Sequence, residues 1–196
     1  MQKQYGTLYF VPVTLGGDNI NATLPPDVIK IAHQLDEFIV ENEKTARYFL
    51  SLIKHPKPIR EIVLKPLNEH TPDKKLPALL NSLLAGNDVG LMSEAGCPGI
   101  ADPGAKLAAL AHQKNIRVAP LVGPSSILLS LMASGLNGQR FTFLGYLVAD
   151  KQSRINQIKE IEKKSRGQET QIFIETPYRN QHLLEDILAT CHADTK

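Results

Sequence analysis

The sequence predicts an α/β protein of two domains, the first built on a mostly parallel sheet. Three observations predict it. Short β-rich apolar runs alternate with stretches of helical apolar spacing, glycine- or proline-rich loops follow several of the runs, and the alternation breaks near residue 136. Alternation of this regularity places helices on both faces of a parallel sheet. The domains are expected at 1–136 and 137–196, and a hydrophobic content of 42% is enough to give the chain a real core.

The elements follow in order. Thr7-Leu8-Tyr9-Phe10-Val11-Pro12-Val13 is rich in strand formers and runs into Thr14-Leu15-Gly16-Gly17-Asp18-Asn19, a glycine turn able to bring backbone amides close to a ligand. A helix begins near Pro25-Pro26, with Val28, Ile29, Ala32 and Leu35 at helical spacing. Phe38-Ile39-Val40 reads as a short strand, and 43–53 as a helix with Ala46, Phe49, Leu50 and Ile53 on one face. Ile62-Val63-Leu64 is the next strand, followed by a helix over 72–84 closed by Gly86. Residues 88–93 have the length and apolar content of a buried strand, and 105–112 form a strong helix pattern. Asp102 before Pro103 reads as that helix's N-cap and first-turn proline. A strand at 117–121, a loop at 122–126 and a helix at 127–133 complete the first domain, which ends in the glycines between Gly135 and Arg140. Beyond it come a strand at 141–147, a polar helix at 151–164, a strand at 170–175 and a helix at 178–191. Two strands and two helices make a poorly covered sheet, so the carboxyl-terminal domain is expected to be incomplete.

Charge and composition exclude several classes. With 22 basic and 20 acidic residues the net charge is +2, so binding to nucleic acid would need a local basic patch. Cys97 and Cys191 suit neither a disulfide framework nor a metal knuckle, and the six histidines form no close pair, so no metal site is expected. Residues 1–5 show no basic region leading into an apolar core, and no apolar run approaches the roughly 20 residues that span a bilayer. The expected location is the cytoplasm, with no membrane partner.

The loops carry the chemistry. The stretch from Ser93 to Gly104 holds two acids, three glycines and two prolines, more than a plain strand-to-helix turn requires. Loops 14–19, 94–104 and 122–126 are expected on one rim of the sheet, and the turn Glu175-Thr176-Pro177-Tyr178-Arg179 could face them across the domain junction. None is a dinucleotide fingerprint, a P-loop or a nucleophile elbow. Glu94 reads either as a general base or as an exposed loop acid, and Asp102 either as such an acid or as the helix cap. Cys97 could be a nucleophile, but a small packed thiol is the better reading. The basic series Lys151, Arg154, Lys159, Lys163, Lys164 and Arg166 could contact phosphates, though interleaved Glu160 and Glu162 favour a solvated helix face.

Five segments in order resemble the tetrapyrrole methylase family of S-adenosylmethionine-dependent methyltransferases. They are Leu8-Tyr9-Phe10-Val11 with its glycine turn, Ser93-Glu94-Ala95-Gly96-Cys97-Pro98 with Ala101-Asp102-Pro103-Gly104, Val122-Gly123-Pro124-Ser125-Ser126, Gly145-Tyr146-Leu147, and Glu175 to Arg179. The nearest branch methylates a cytidine ribose 2′-hydroxyl of bacterial small-subunit rRNA. The resemblance implies two α/β domains with S-adenosylmethionine in the cleft between them, a homodimer, and rRNA or the small ribosomal subunit as partner. By position it implies Leu15, Gly16, Gly96, Cys97, Ile100, Ser125, Ser126 and Glu175 as cofactor-lining residues. Glu94 and Glu41 are the candidate proton acceptors, and Arg47 and Arg179 the candidate contacts to phosphate or cofactor carboxylate. The sequence departs from the branch where Glu41-Asn42-Glu43 stands for a Glu-Asp pair, and where Asn68-Glu69-His70 is all that remains of a His-Glu-His-Asn-Glu-like segment. Both segments are expected to face the acceptor, so the cofactor assignment is the firmer one. Methylation of a small molecule such as a tetrapyrrole, and a non-catalytic cofactor-binding role, are the alternatives.

Overall fold

A computed structural model describes residues 4–196; residues 1–3, part of the segment read above for a leader, lie outside the described residues. The chain divides into one unit that runs to Ser126 and a second, Ile127–Lys196.

In the first unit β1 (Thr7–Phe10), β2 (Glu37–Val40), β3 (Val63–Pro66), β4 (Val89–Met92) and β5 (Arg117–Pro120) form one sheet in the order β3-β2-β4-β1-β5. Every ladder in it is parallel. The helices α1 (Pro26–Ala32), α2 (Glu43–Leu52), α3 (Leu76–Leu79), α4 (Asn81–Leu84) and α5 (Ala105–Gln113) connect the strands. From β1 to β2 to β3 the chain moves one way along the sheet, and from β3 to β4 to β5 the other. Right-handed crossovers then put the two sets of helices on opposite faces.

The side-chain alternation of the strands matches. Tyr9 and Val11 pack with Val28, Ala32, Phe49 and Leu50 of α1 and α2. Leu8 and Phe10 point the other way, into Leu76, Leu83, Leu107 and Ala111 of α3, α4 and α5 and Leu80 between the first two. Burial on both faces explains why β4 is buried at all four positions and reads as an unbroken apolar run. Neighbouring strands β2 and β4 send their connections to opposite sides, which opens a crevice at their carboxyl ends, where ligands of such sheets bind.

Two helix expectations are corrected. The segment 72–84 is not one helix but a 3-10 turn at Asp73–Lys75 followed by α3 and α4. Pro77 has no N–H to donate to the residue four before it, so a new helix starts around it instead. Helix α5 is not capped by Asp102: its N-cap is Gly104, and no side chain caps it. Asp102 is half-buried and interacts with Ser93 instead.

The second unit contains α6 (Ser126–Ser134), whose first residue closes the first unit, then β6 (Phe141–Tyr146), α7 (Lys151–Ser165), β7 (Thr170–Ile174) and α8 (Asn180–Thr190). This division falls at Ser126, and Gly135 follows the end of α6. Strands β6 and β7 pair in parallel as a sheet of two. Leu147, Ile158 and Leu183, with Phe173 and Ile187 against them, form its small core. The thin cover leaves Phe141 and Tyr146 exposed.

Of the basic series, Lys151, Lys159, Lys163, Lys164 and Arg166 are exposed, as a solvated face requires, and Arg154 is the exception. It is buried, its Nη2 stands 2.6 Å from Asp186 Oδ2, and its Nη1 donates to the Ala149 carbonyl at 2.7 Å. Among the described residues no helix is long and apolar enough to cross a membrane.

Candidate functional site

Adjacent strands β4, β1 and β5 end in three loops that the backbone ties together. Val11 N–H donates to the Leu91 carbonyl and Val13 N–H to that of Gly96, both at 2.9 Å, while Leu121 N–H donates to Phe10 O at 3.0 Å. The Cys97 thiol donates to Pro124 O at 3.3 Å. At Gly123 a Cβ would stand 2.1 Å from the Pro12 Cβ, so only glycine lets the third loop lie this close to the first. The expected single rim is therefore present, and Leu15, Gly16, Gly96, Cys97 and Ser125 lie on the loops that form it.

The rim offers room and small residues. Gly16 holds φ at +120°, outside what a side chain adopts at low cost, and nothing lies within 4 Å of the space a Cβ would fill. A Cβ on Gly96 would meet the Leu15 side chain at 3.1 Å and Pro124 O at 3.2 Å. Leu15 and Ile100 expose aliphatic surface beside this open backbone, and Ser126 is exposed at the start of α6. Backbone donors and acceptors flanked by aliphatic side chains suit a nucleoside with a polar tail. Burial raises the Cys97 thiol above its ordinary range, which with its bond to Pro124 makes it a packed thiol rather than a nucleophile.

The acids gather at the crevice between β2 and β4. Glu41 follows β2 and Glu94 follows β4, and the Glu94 N–H donates to Glu41 Oε2 at 3.1 Å. Burial raises the Glu41 carboxyl above its usual range; that N–H opposes the rise, and the nearby charges of Asp102, Glu94 and Glu69 add to it. Asp102 is also raised, by burial first and by Glu94, with Ser93 opposing. Glu94 itself is exposed. Of the two candidate proton acceptors, Glu41 therefore has the surroundings that favour holding a proton.

The remaining candidates take other partners. Arg47, exposed on α2, donates to Glu43 at 2.9 Å one turn away. In the second unit Arg179 Nη2 lies 2.8 Å from Glu175 Oε2 and donates to Leu147 O at 3.1 Å, while Thr176 N–H donates to Glu175 Oε1 at 2.8 Å. Glu175, only 3% exposed at its side chain, and Arg179 thus hold the turn after β7 together. For Glu43 and Arg47, one turn apart on α2, the spacing of four was the signal and was readable in the sequence, whereas Glu175 and Arg179 meet across a turn. Tyr48 is a residue the spacing did not single out. Its hydroxyl donates to Asp18 Oδ1 at 2.6 Å across thirty residues of sequence, a bond that raises the phenol above its ordinary range.

No family model matches the chain. It is 39% identical to the ribosomal RNA small subunit methyltransferase I of Vibrio cholerae over 122 residues, which cover 62% of this chain and 41% of that protein. The protein of that name from Escherichia coli O157:H7 is 34% identical over 184 residues, 94% of this chain and 60% of its own length. That from Streptococcus pyogenes serotype M18 is 33% identical, covering 98% of this chain and 63% of its own. The chain thus spans less than two thirds of the length of each of these relatives. Their names favour neither the tetrapyrrole-ring substrate nor the non-catalytic role.

Proposed function

We propose that this chain, a homologue of the proteins named ribosomal RNA small subunit methyltransferase I and so a member of the tetrapyrrole methylase family, binds S-adenosylmethionine at its loop rim and methylates a ribose 2′-hydroxyl of small-subunit rRNA. The observation that carries the reading is the joining of the loops after β1, β4 and β5 into one rim with open glycine backbone and exposed Leu15 and Ile100. When bound, S-adenosylmethionine supplies a methyl group already activated by its sulfonium, so holding the acceptor in line accounts for much of the rate.

Each residue then has a task. Leu15, Gly16, Gly96, Cys97, Ile100, Ser125 and Ser126 supply cofactor wall, mainly through backbone. Glu41 takes the proton from the acceptor hydroxyl as the new carbon–oxygen bond forms, for which a raised carboxyl is better matched than an ordinary one. Arg47 offers a phosphate contact, since a surface pair with Glu43 costs little to release. Glu175 and Arg179 support the turn that carries them. The same reading supports a homodimer acting in the cytoplasm.

Labelled S-adenosylmethionine incubated with small ribosomal subunits from a strain lacking the protein tests the proposal. The expected result is label on one ribose of the rRNA. Label that never enters rRNA, from a protein that binds the cofactor, sinks the substrate assignment; absence of cofactor binding sinks the whole reading.

A further inference from the structure

The geometry points to Tyr48 as a positioning residue that, through Asp18, sets the glycine loop at residues 14–18 for binding the methyl donor, a role that rests on the donor site proposed above. Tyr48 belongs to α2 and is 58% exposed, and Asp18 is exposed at the end of the loop, so burial does not force the two together. They nevertheless meet at 2.6 Å, a charge-assisted bond from a phenol to a carboxylate.

The loop needs such a tether. Two consecutive glycines, Gly16 and Gly17, hold positive φ with no side chain around them, and ordering glycine is costly in backbone entropy. Within the loop Thr14 Oγ1 donates weakly to Gly17 O at 3.3 Å, and Asn19 turns away to cap the next turn by accepting from Ala22 N–H. Asp18 alone of these reaches out to another helix. Fixing the far end of the loop presents the backbone of Leu15, Gly16 and Gly17 in one arrangement before the ligand arrives, which lowers the cost of binding. Because α2 begins just after Glu41, the same bond links the helix that follows the acidic crevice to the loop that lines the rim.

The test compares the full chain with Y48F, D18A, D18N and the double variant Y48F/D18A, measuring S-adenosylmethionine binding by calorimetry and hydrogen exchange at the amides of residues 15–17. Y48F and D18A should each weaken binding about three- to tenfold, the size of one hydrogen bond to a charged group at an exposed position. The double variant should be no weaker than either single one, and D18N, whose amide oxygen still accepts but carries no charge, should fall between the parent and D18A. KM for the donor should rise while kcat stays within about twofold, since a uniform binding term is what is lost. Exchange at residues 15–17 should quicken in Y48F with the melting temperature unchanged. Parent-like binding and exchange in Y48F, or D18N as weak as D18A, overturns the proposal. If the parent itself does not bind S-adenosylmethionine, the donor reading fails separately; the tether then stands on faster loop exchange in Y48F and falls if exchange is unaltered.

Discussion

Glu41 shows how a single residue can be costly to the fold and useful to a site. Its carboxyl is raised chiefly by burial, with Asp102, Glu94 and Glu69 adding to it, so ionising it costs the folded state stability. Below the ordinary Glu value of about 4.3 the group is neutral in both states and the cost vanishes; as pH rises through the raised value the cost comes fully into play. Glu41→Gln keeps an oxygen to accept the Glu94 N–H and removes the charge. It should therefore raise the melting temperature by about 1–2 °C near pH 8, a modest gain because the group is partly exposed and screened. The gain should disappear near pH 4, and methyl transfer should fall about a hundredfold or more if Glu41 accepts the proton. Thermal scans across that pH range and a single-turnover assay check both; a variant that transfers methyl at the parent rate removes Glu41 from the chemistry. The resemblance named Glu41 beside Glu94, but nothing in the sequence showed which of the two is desolvated. The two acids are fifty-three residues apart, and only pairing of β2 with β4 makes one the hydrogen-bond partner of the other.

At the scale of elements the strands were legible and the helix ends were not. Strands declared themselves because burial on both faces leaves little but apolar residues in β2 and β4. Helix starts depend on local bonds that have competitors: Asp102 fitted a cap, but it lies half-buried beside Ser93, and Gly104 begins α5 instead. Among the basic side chains of α7 one departs from the exposed face. The helix's charge pattern suggests a wet face, yet Arg154 reaches inward to Asp186, with side chains only 8% and 7% exposed. Arg154→Ala leaves that carboxylate buried with only the exposed Lys151 ammonium 4.0 Å away, and should destabilise the second unit by about 3 kcal/mol, whereas replacing both partners with Met and Leu should cost much less. Denaturant-dependent hydrogen exchange in residues 127–196 measures it; equal losses from the single and double replacements would show that the pair itself, rather than the orphaned charge, supplies the stability.

For the molecule as a whole, each unit's stability follows from how its sheet is covered. The five-stranded sheet has a core on each face, while β6 and β7 form a two-stranded sheet beside exposed Met132, Tyr146 and Leu188. Amides of β1, β2 and β4 should therefore exchange about tenfold or more slowly than those of β6 and β7, and equal protection would contradict this account. The α/β class, the parallel sheet and the glycine loops were determined by the sequence alone, because periodicity and turn chemistry act over a few residues. Only the tertiary structure decided that the strands run β3-β2-β4-β1-β5, that Glu41 rather than Glu94 is the desolvated acid, and that Tyr48 meets Asp18. Those outcomes depend on which distant segments pack together, and a spacing rule that spans one helical turn or one strand carries no information about them.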